Sequence, residues 1–175
     1  YNTLVGIDSN GKIIPELATS WNISKDGKTY TFNLRKNVKF QDGTAFNADA
    51  VKFNFDRELN PKFGSPRLSE IGSISQVKVV NPYQVQLILK TPYSPLLAIL
   101  TDRASMMLSP TAVKKEGANF SNHPVGTGPF EFVSRVKQDH ITLKAFKGYW
   151  GPKPKEQTIT YRPFPDGTVR LTNLT

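Results

Sequence analysis

From Ala18 to Phe40 the sequence reads ATSWNISKDGKTYTFNLRKNVKF. Trp21 and Ile23 alternate with polar neighbours. After the polar run Ser24-Lys25-Asp26-Gly27-Lys28, Tyr30, Phe32 and Leu34 alternate with Thr31, Asn33 and Arg35. Side chains two apart share one face of a strand, so the pattern predicts a β-hairpin with its aromatic-aliphatic row buried. Asp26-Gly27 supplies the reversal, because glycine takes positive φ without a Cβ clash. The same alternation recurs over 74–90. Val77, Val79, Val85, Leu87 and Leu89 take one face there, Gln84, Gln86 and Lys90 the other, around Asn81-Pro82. A third hairpin is predicted over 130–146, turning at Lys137-Gln138-Asp139-His140, with a last strand at 158–162. Tyr1 to Ile7 reads as a first strand, closed by the turn Asp8-Ser9-Asn10-Gly11.

Between the strands the period changes. Val51, Phe55 and Leu59 recur every four residues behind Asn47, a helix N-cap candidate, with Asp49 in the first turn and Phe53 on the flank. Pro61 ends this helix, predicted near 48–59, and Asp56-Arg57-Glu58 form its solvated face. Pro15 to Ala18 is expected to make one helical turn and Phe63 to Gly72 a loop. Ser94 caps and Pro95 starts a short helix through Leu96, Leu97, Ile99 and Leu100. The segment 102–110 is expected to be extended, and a helix from Thr111 to Glu116 stops at Gly117. The fold class is therefore α+β, mainly antiparallel hairpins with a few short helices.

Composition narrows the chemistry. A hydrophobic fraction of 38% over 175 residues supports a real core. No apolar run approaches the ~20 residues of a membrane helix. The opening YNTLVGI reads as a strand, so no leader is expected within these residues. Cysteine is absent, which excludes disulfides and thiol catalysis. The net charge of +9 raises nucleic acid as a partner, yet the basic residues fall singly or in pairs, with no recognition motif, so nucleic acid is not expected. Gly126 and Gly128 do not fit a phosphate-binding loop. No GxSxG frames a serine, and His123 and His140 lie 17 positions apart without HExxH, so neither enzyme nor metal site nor cofactor is expected.

The stretches PELATSW, FQDGTAFNADAVKFNFDR, HPVGTGPFEFV and FKGYWGPKP occur in that order along nearly the whole chain. They resemble landmarks of the bacterial solute-binding proteins of the oligopeptide/dipeptide/nickel uptake family, extracytoplasmic receptors of ABC importers. The resemblance implies a partial first lobe of a two-lobed, type II periplasmic-binding-protein fold. Residues 1–122 would form a hairpin/helix subdomain and 123–175 a segment returning toward the inter-lobe sheet.

The resemblance further implies capture of a peptide or related small solute and delivery to ABC permease subunits. It implies a site in the periplasm or on the outer face of the cell membrane, and a lipid anchor outside this chain. An alternative is a surface scaffold, sensing or adhesion module that reuses the fold without transport. Arg103 is the candidate for a solute carboxylate, since guanidinium and carboxylate pair in a bidentate fork; its other reading is a salt bridge to a surface acid. Met106 is the candidate for an apolar pocket wall, with core packing as its other reading.

Overall fold

The computed structural model describes residues 1–172, apart from the side chains at 168, 169 and 171. Alternating stretches become strands β1 (Val5–Ile7), β2 (Ile13–Pro15), β3 (Ala18–Ile23), β4 (Thr29–Leu34), β5 (Ile74–Asn81) and β6 (Gln84–Leu89). Further on come β7 (Phe130–Val136), β8 (His140–Ala145) and β9 (Thr158–Tyr161). The helices are α1 (Ala48–Leu59), α2 (Leu68–Ile71), α3 (Leu96–Ile99), α4 (Pro110–Glu116) and α5 (Gly167–Thr172). Every strand pairing is antiparallel: β1 with β2, a four-stranded sheet in the order β3-β4-β6-β5, and a three-stranded sheet in the order β7-β8-β9. The α+β expectation holds.

The first two hairpins join through β4 and β6, where Phe32 faces Val85 and Tyr30 faces Leu87. Phe32, Val85 and Leu87 have no exposed surface, and α1 packs Val51 and Phe55 onto them in one core. Asn47 caps α1 by accepting the Ala50 N–H at 2.9 Å. The tight turn after β3 closes as expected, with Gly27 at φ +68°. Phe40 and Phe46 meet edge to face at 6.1 Å where the chain enters α1.

Several local expectations fail, each where a tertiary contact outweighs the local signal. Ile23 is 40% exposed, because β3 is an edge strand and Ile23 ends it at the turn. Pro15 pairs with Val5 as extended chain, so no helical turn forms at 15–18; the Glu16 carboxylate there binds Thr3 and Asn2 instead. The predicted loop 63–72 contains α2, which Ile71 anchors in the core. Pro95, not Ser94, stands at the cap of α3, and no side chain bonds there. Residues Arg103–Ser105 coil into a 3-10 turn, so only the later part of 102–110 is extended. Arg57 and Glu58 are half-buried: Glu58 is paired with Arg57 at 2.7 Å and accepts from Ser65, while Arg57 lies 4.3 Å from the Phe63 ring.

Candidate functional site

Three separate stretches of chain meet along one seam: residues 1–4, 105–109 and 125–128. The Met107 N–H donates to the Asn2 carbonyl at 3.0 Å, and the Leu4 N–H donates to Ser105 Oγ at 3.3 Å. Leu108 bridges Gly126, and the Ser109 N–H donates to the Val125 carbonyl at 3.1 Å. Gly126 and Gly128 have ordinary φ, so close approach explains them. A Cβ on Gly126 would fall 2.4 Å from Tyr1 Cδ1, and one on Gly128 would fall 3.0 Å from the Tyr1 nitrogen. Tyr1 is 46% exposed as a whole, yet desolvation where its ring meets the glycine turn pushes the phenol up to about 12, with the Arg57 charge pulling the other way.

Two amide side chains clamp this seam. Gln41 Nε2 donates to the carbonyls of Gly128 (3.1 Å) and Phe130 (2.8 Å), and its Oε1 accepts the Gly126 N–H at 2.9 Å. Asn54 reaches from α1 to both backbone groups of Leu108, at 2.9 and 3.1 Å. On the flank, Trp150 Nε1 donates to Asn2 Oδ1 at 3.3 Å, and the Arg35 guanidinium lies 4.3 Å from the Trp150 ring centroid. Arg35 also donates to the Glu16 carbonyl at 3.1 Å. These residues lie outside the candidates read from the sequence. Asn54 had a legible signal, a polar residue inside the apolar stripe of α1; Gln41 and Arg35 had none, since their partners are distant in the chain.

Arg103 lies on the 3-10 turn at one end of the seam, exposed, and among the described residues no carboxylate lies within ion-pair distance of it. Met106 is half-buried, whereas its neighbour Met107 is core. His123 and His140 stay apart: His123 Nδ1 sits 3.4 Å from Glu116, and His140 Nδ1 sits 2.8 Å from Asp139. No group of three metal-ligating side chains occurs among the described residues. Two hollows flank the β7-β8-β9 sheet. One of about 470 Å³ is lined by His123, Phe132, Arg135 and Lys137; the other, of about 370 Å³, is lined by Arg135, Ile141, Tyr161 and Arg162. Neither Arg103 nor Met106 lines them.

Residues 12–175 match the family described as bacterial extracellular solute-binding proteins, family 5 Middle. The chain belongs to that family. Its members are binding proteins and not enzymes, and membership puts this protein outside the cytoplasm, in the periplasm or at the outer face of the cell membrane.

Among curated proteins, the chain is 42% identical over 175 residues to the glutathione-binding protein GsiB of Shigella flexneri, covering 99% of this chain and 34% of the relative. Among solved structures it is similar to NikZ from Campylobacter jejuni in complex with Ni(L-His), at TM-score 0.93 and 33% identity, covering 99% of this chain and 35% of that one. It is equally similar to AgaA from A. tumefacien R10 in complex with agropinic acid, at TM-score 0.93 and 34% identity, covering 99% and 35%. The chain thus spans about a third of the length of the relatives that it matches.

Proposed function

We propose that the protein is the solute-binding component of an ABC importer, and that it captures a peptide or another small, carboxylate-bearing amino-acid derivative. The observation that carries this reading is the fit of the whole described fold, at TM-score 0.93, to receptors of that kind. Their ligands share a chemistry: a histidine chelate, an opine acid and, for the curated relative, glutathione all bring carboxylates. An exposed guanidinium with no carboxylate of the described residues within ion-pair distance suits such a group, so Arg103 takes the carboxylate and Met106 the adjoining apolar part. The described residues supply one open wall, and the remainder of the full-length protein supplies the enclosure and hands the solute to the permease subunits.

Calorimetric titration of the full-length protein with glutathione and with the dipeptide Met-Leu tests this. Binding to at least one of them is expected, and Arg103→Ala should weaken it by about 1.5–3 kcal/mol, the contribution of a hydrogen bond to a charged group. The 175-residue chain alone should bind weakly and lose that binding at physiological salt. Tight, salt-independent binding by the short chain would overturn the two-wall reading. Unchanged affinity in Arg103→Ala would remove only that residue's assignment.

A further inference from the structure

We infer that Asn54 is a positioning residue for solute capture: from the buried face of α1 it holds in register the run of chain that carries Arg103 and Met106. The inference rests on the solute-binding reading above. Asn54 is 3% exposed and stands in the stripe that Ala50, Val51 and Phe55 turn to the core. A polar group in that place costs stability unless its bonding capacity is met. Asn54 meets it with three bonds, using both donor hydrogens and the acceptor oxygen. Nδ2 donates to the Ala50 carbonyl at 2.9 Å and to the Leu108 carbonyl at 2.9 Å, and Oδ1 accepts the Leu108 N–H at 3.1 Å.

Taking both the N–H and the C=O of one residue is what a neighbouring β-strand does. The other edge of the same run is already paired. Met107 donates to Asn2, Ser109 donates to Val125, and Leu108 faces Gly126. Residues 107–109 are therefore a short extended run around an isolated bridge, with chain on one edge and the Asn54 amide in place of chain on the other. A leucine would fill the same stripe but leave the Leu108 N–H and C=O without these partners, so asparagine contributes both their satisfaction and register: Leu108 is held at one height along α1. Met106 lies two residues and Arg103 five residues from that fixed point. A slip of the run moves both, and a binding group must be held to within about 0.5 Å to keep its geometry.

The test uses the full-length protein and three forms of it: Asn54→Ala, Asn54→Leu, which fills the site with an apolar side chain but cannot bond Leu108, and Val51→Ala, a buried control on the same helix. Glutathione and the dipeptide Met-Leu are titrated at a temperature where every form is folded, and amide exchange is followed at 107–109. We expect both Asn54 forms to lose affinity by about tenfold or more, with faster exchange confined to 105–109. Val51→Ala should lose melting temperature yet bind within about twofold of the parent. Parent-like affinity in Asn54→Leu alongside faster exchange at 107–109 overturns the positioning role while the solute-binding reading stands. An equal loss of affinity in Val51→Ala also overturns it, since general destabilisation then accounts for the effect. A parent that binds neither probe, with exchange at 107–109 still dependent on Asn54, overturns the solute-binding reading and the capture role with it.

Discussion

Phe32 has no exposed surface and sits between Trp21 on β3 and Val85 on β6. Removing its ring leaves a cavity that rigid sheet neighbours cannot fill, so Phe32→Ala should cost about 3–5 kcal/mol. Urea unfolding measures this, and a loss under about 0.5 kcal/mol would place the ring at the surface. Tyr30, two residues away, is 3% exposed and donates its phenol to the Tyr93 carbonyl at 3.1 Å. Burial pushes that phenol above its ordinary value. The folded state then holds the proton more tightly than the unfolded chain does. The resulting stability is complete below about pH 10 and is lost as pH rises through the raised value. Tyr30→Phe should cost about 1 kcal/mol near neutrality through the lost hydrogen bond, and its stability should fall less steeply than the parent's above about pH 10. Parallel alkaline limbs in the two unfolding series would exclude Tyr30 from that slope.

At the scale of elements, α1 shows how local and distant signals combine. Its ends match the sequence reading, because Asn47 at the front and Asn60-Pro61 at the back act through bonds a few residues long. Asn47→Ala removes the acceptor for the Ala50 N–H and should cost about 1 kcal/mol, with the loss seen in thermal unfolding and fast exchange confined to the first turn. A neutral outcome would mean that solvent satisfies that amide equally well. Its faces were harder to read. Arg57 and Glu58 look like a solvated run, yet they close over Phe63 and Ser65 because the chain beyond Pro61 folds back onto them. The short helix α2 was not legible at all, since four residues carry too little periodicity; Ile71 holds it by burial.

On the scale of the whole molecule, the sheets lie on two sides of residue 122, and a division into 1–122 and 123–175 is our proposal. The Gln41 clamp on Gly126, Gly128 and Phe130 spans that division. If the halves are separate cooperative units, Gln41→Ala should speed amide exchange across β7, β8 and β9 and leave β3 to β6 at the parent rate. Uniformly faster exchange over both sheets would show one unit and end the division. The +9 charge also belongs to this scale. Arg135, Lys137 and Arg162 border the hollows of the second sheet, and the other basic residues are spread along the rest of the chain, giving no stripe for nucleic acid.

Three hairpins, the main helix with its cap, and the buried row Tyr30-Phe32-Leu34 were determined by the sequence alone, because period, turn chemistry and capping act over a few residues. The ordered landmarks were enough for the family as well. Tertiary structure alone decided how these pieces meet: β4 beside β6, Asn54 on Leu108, Gln41 on the glycine turn, Arg35 on Trp150. Each of those pairs joins residues dozens of positions apart, and a side-chain amide or guanidinium bonds equally well to any backbone group within reach. Which group it reaches is set only when the core has brought the segments together.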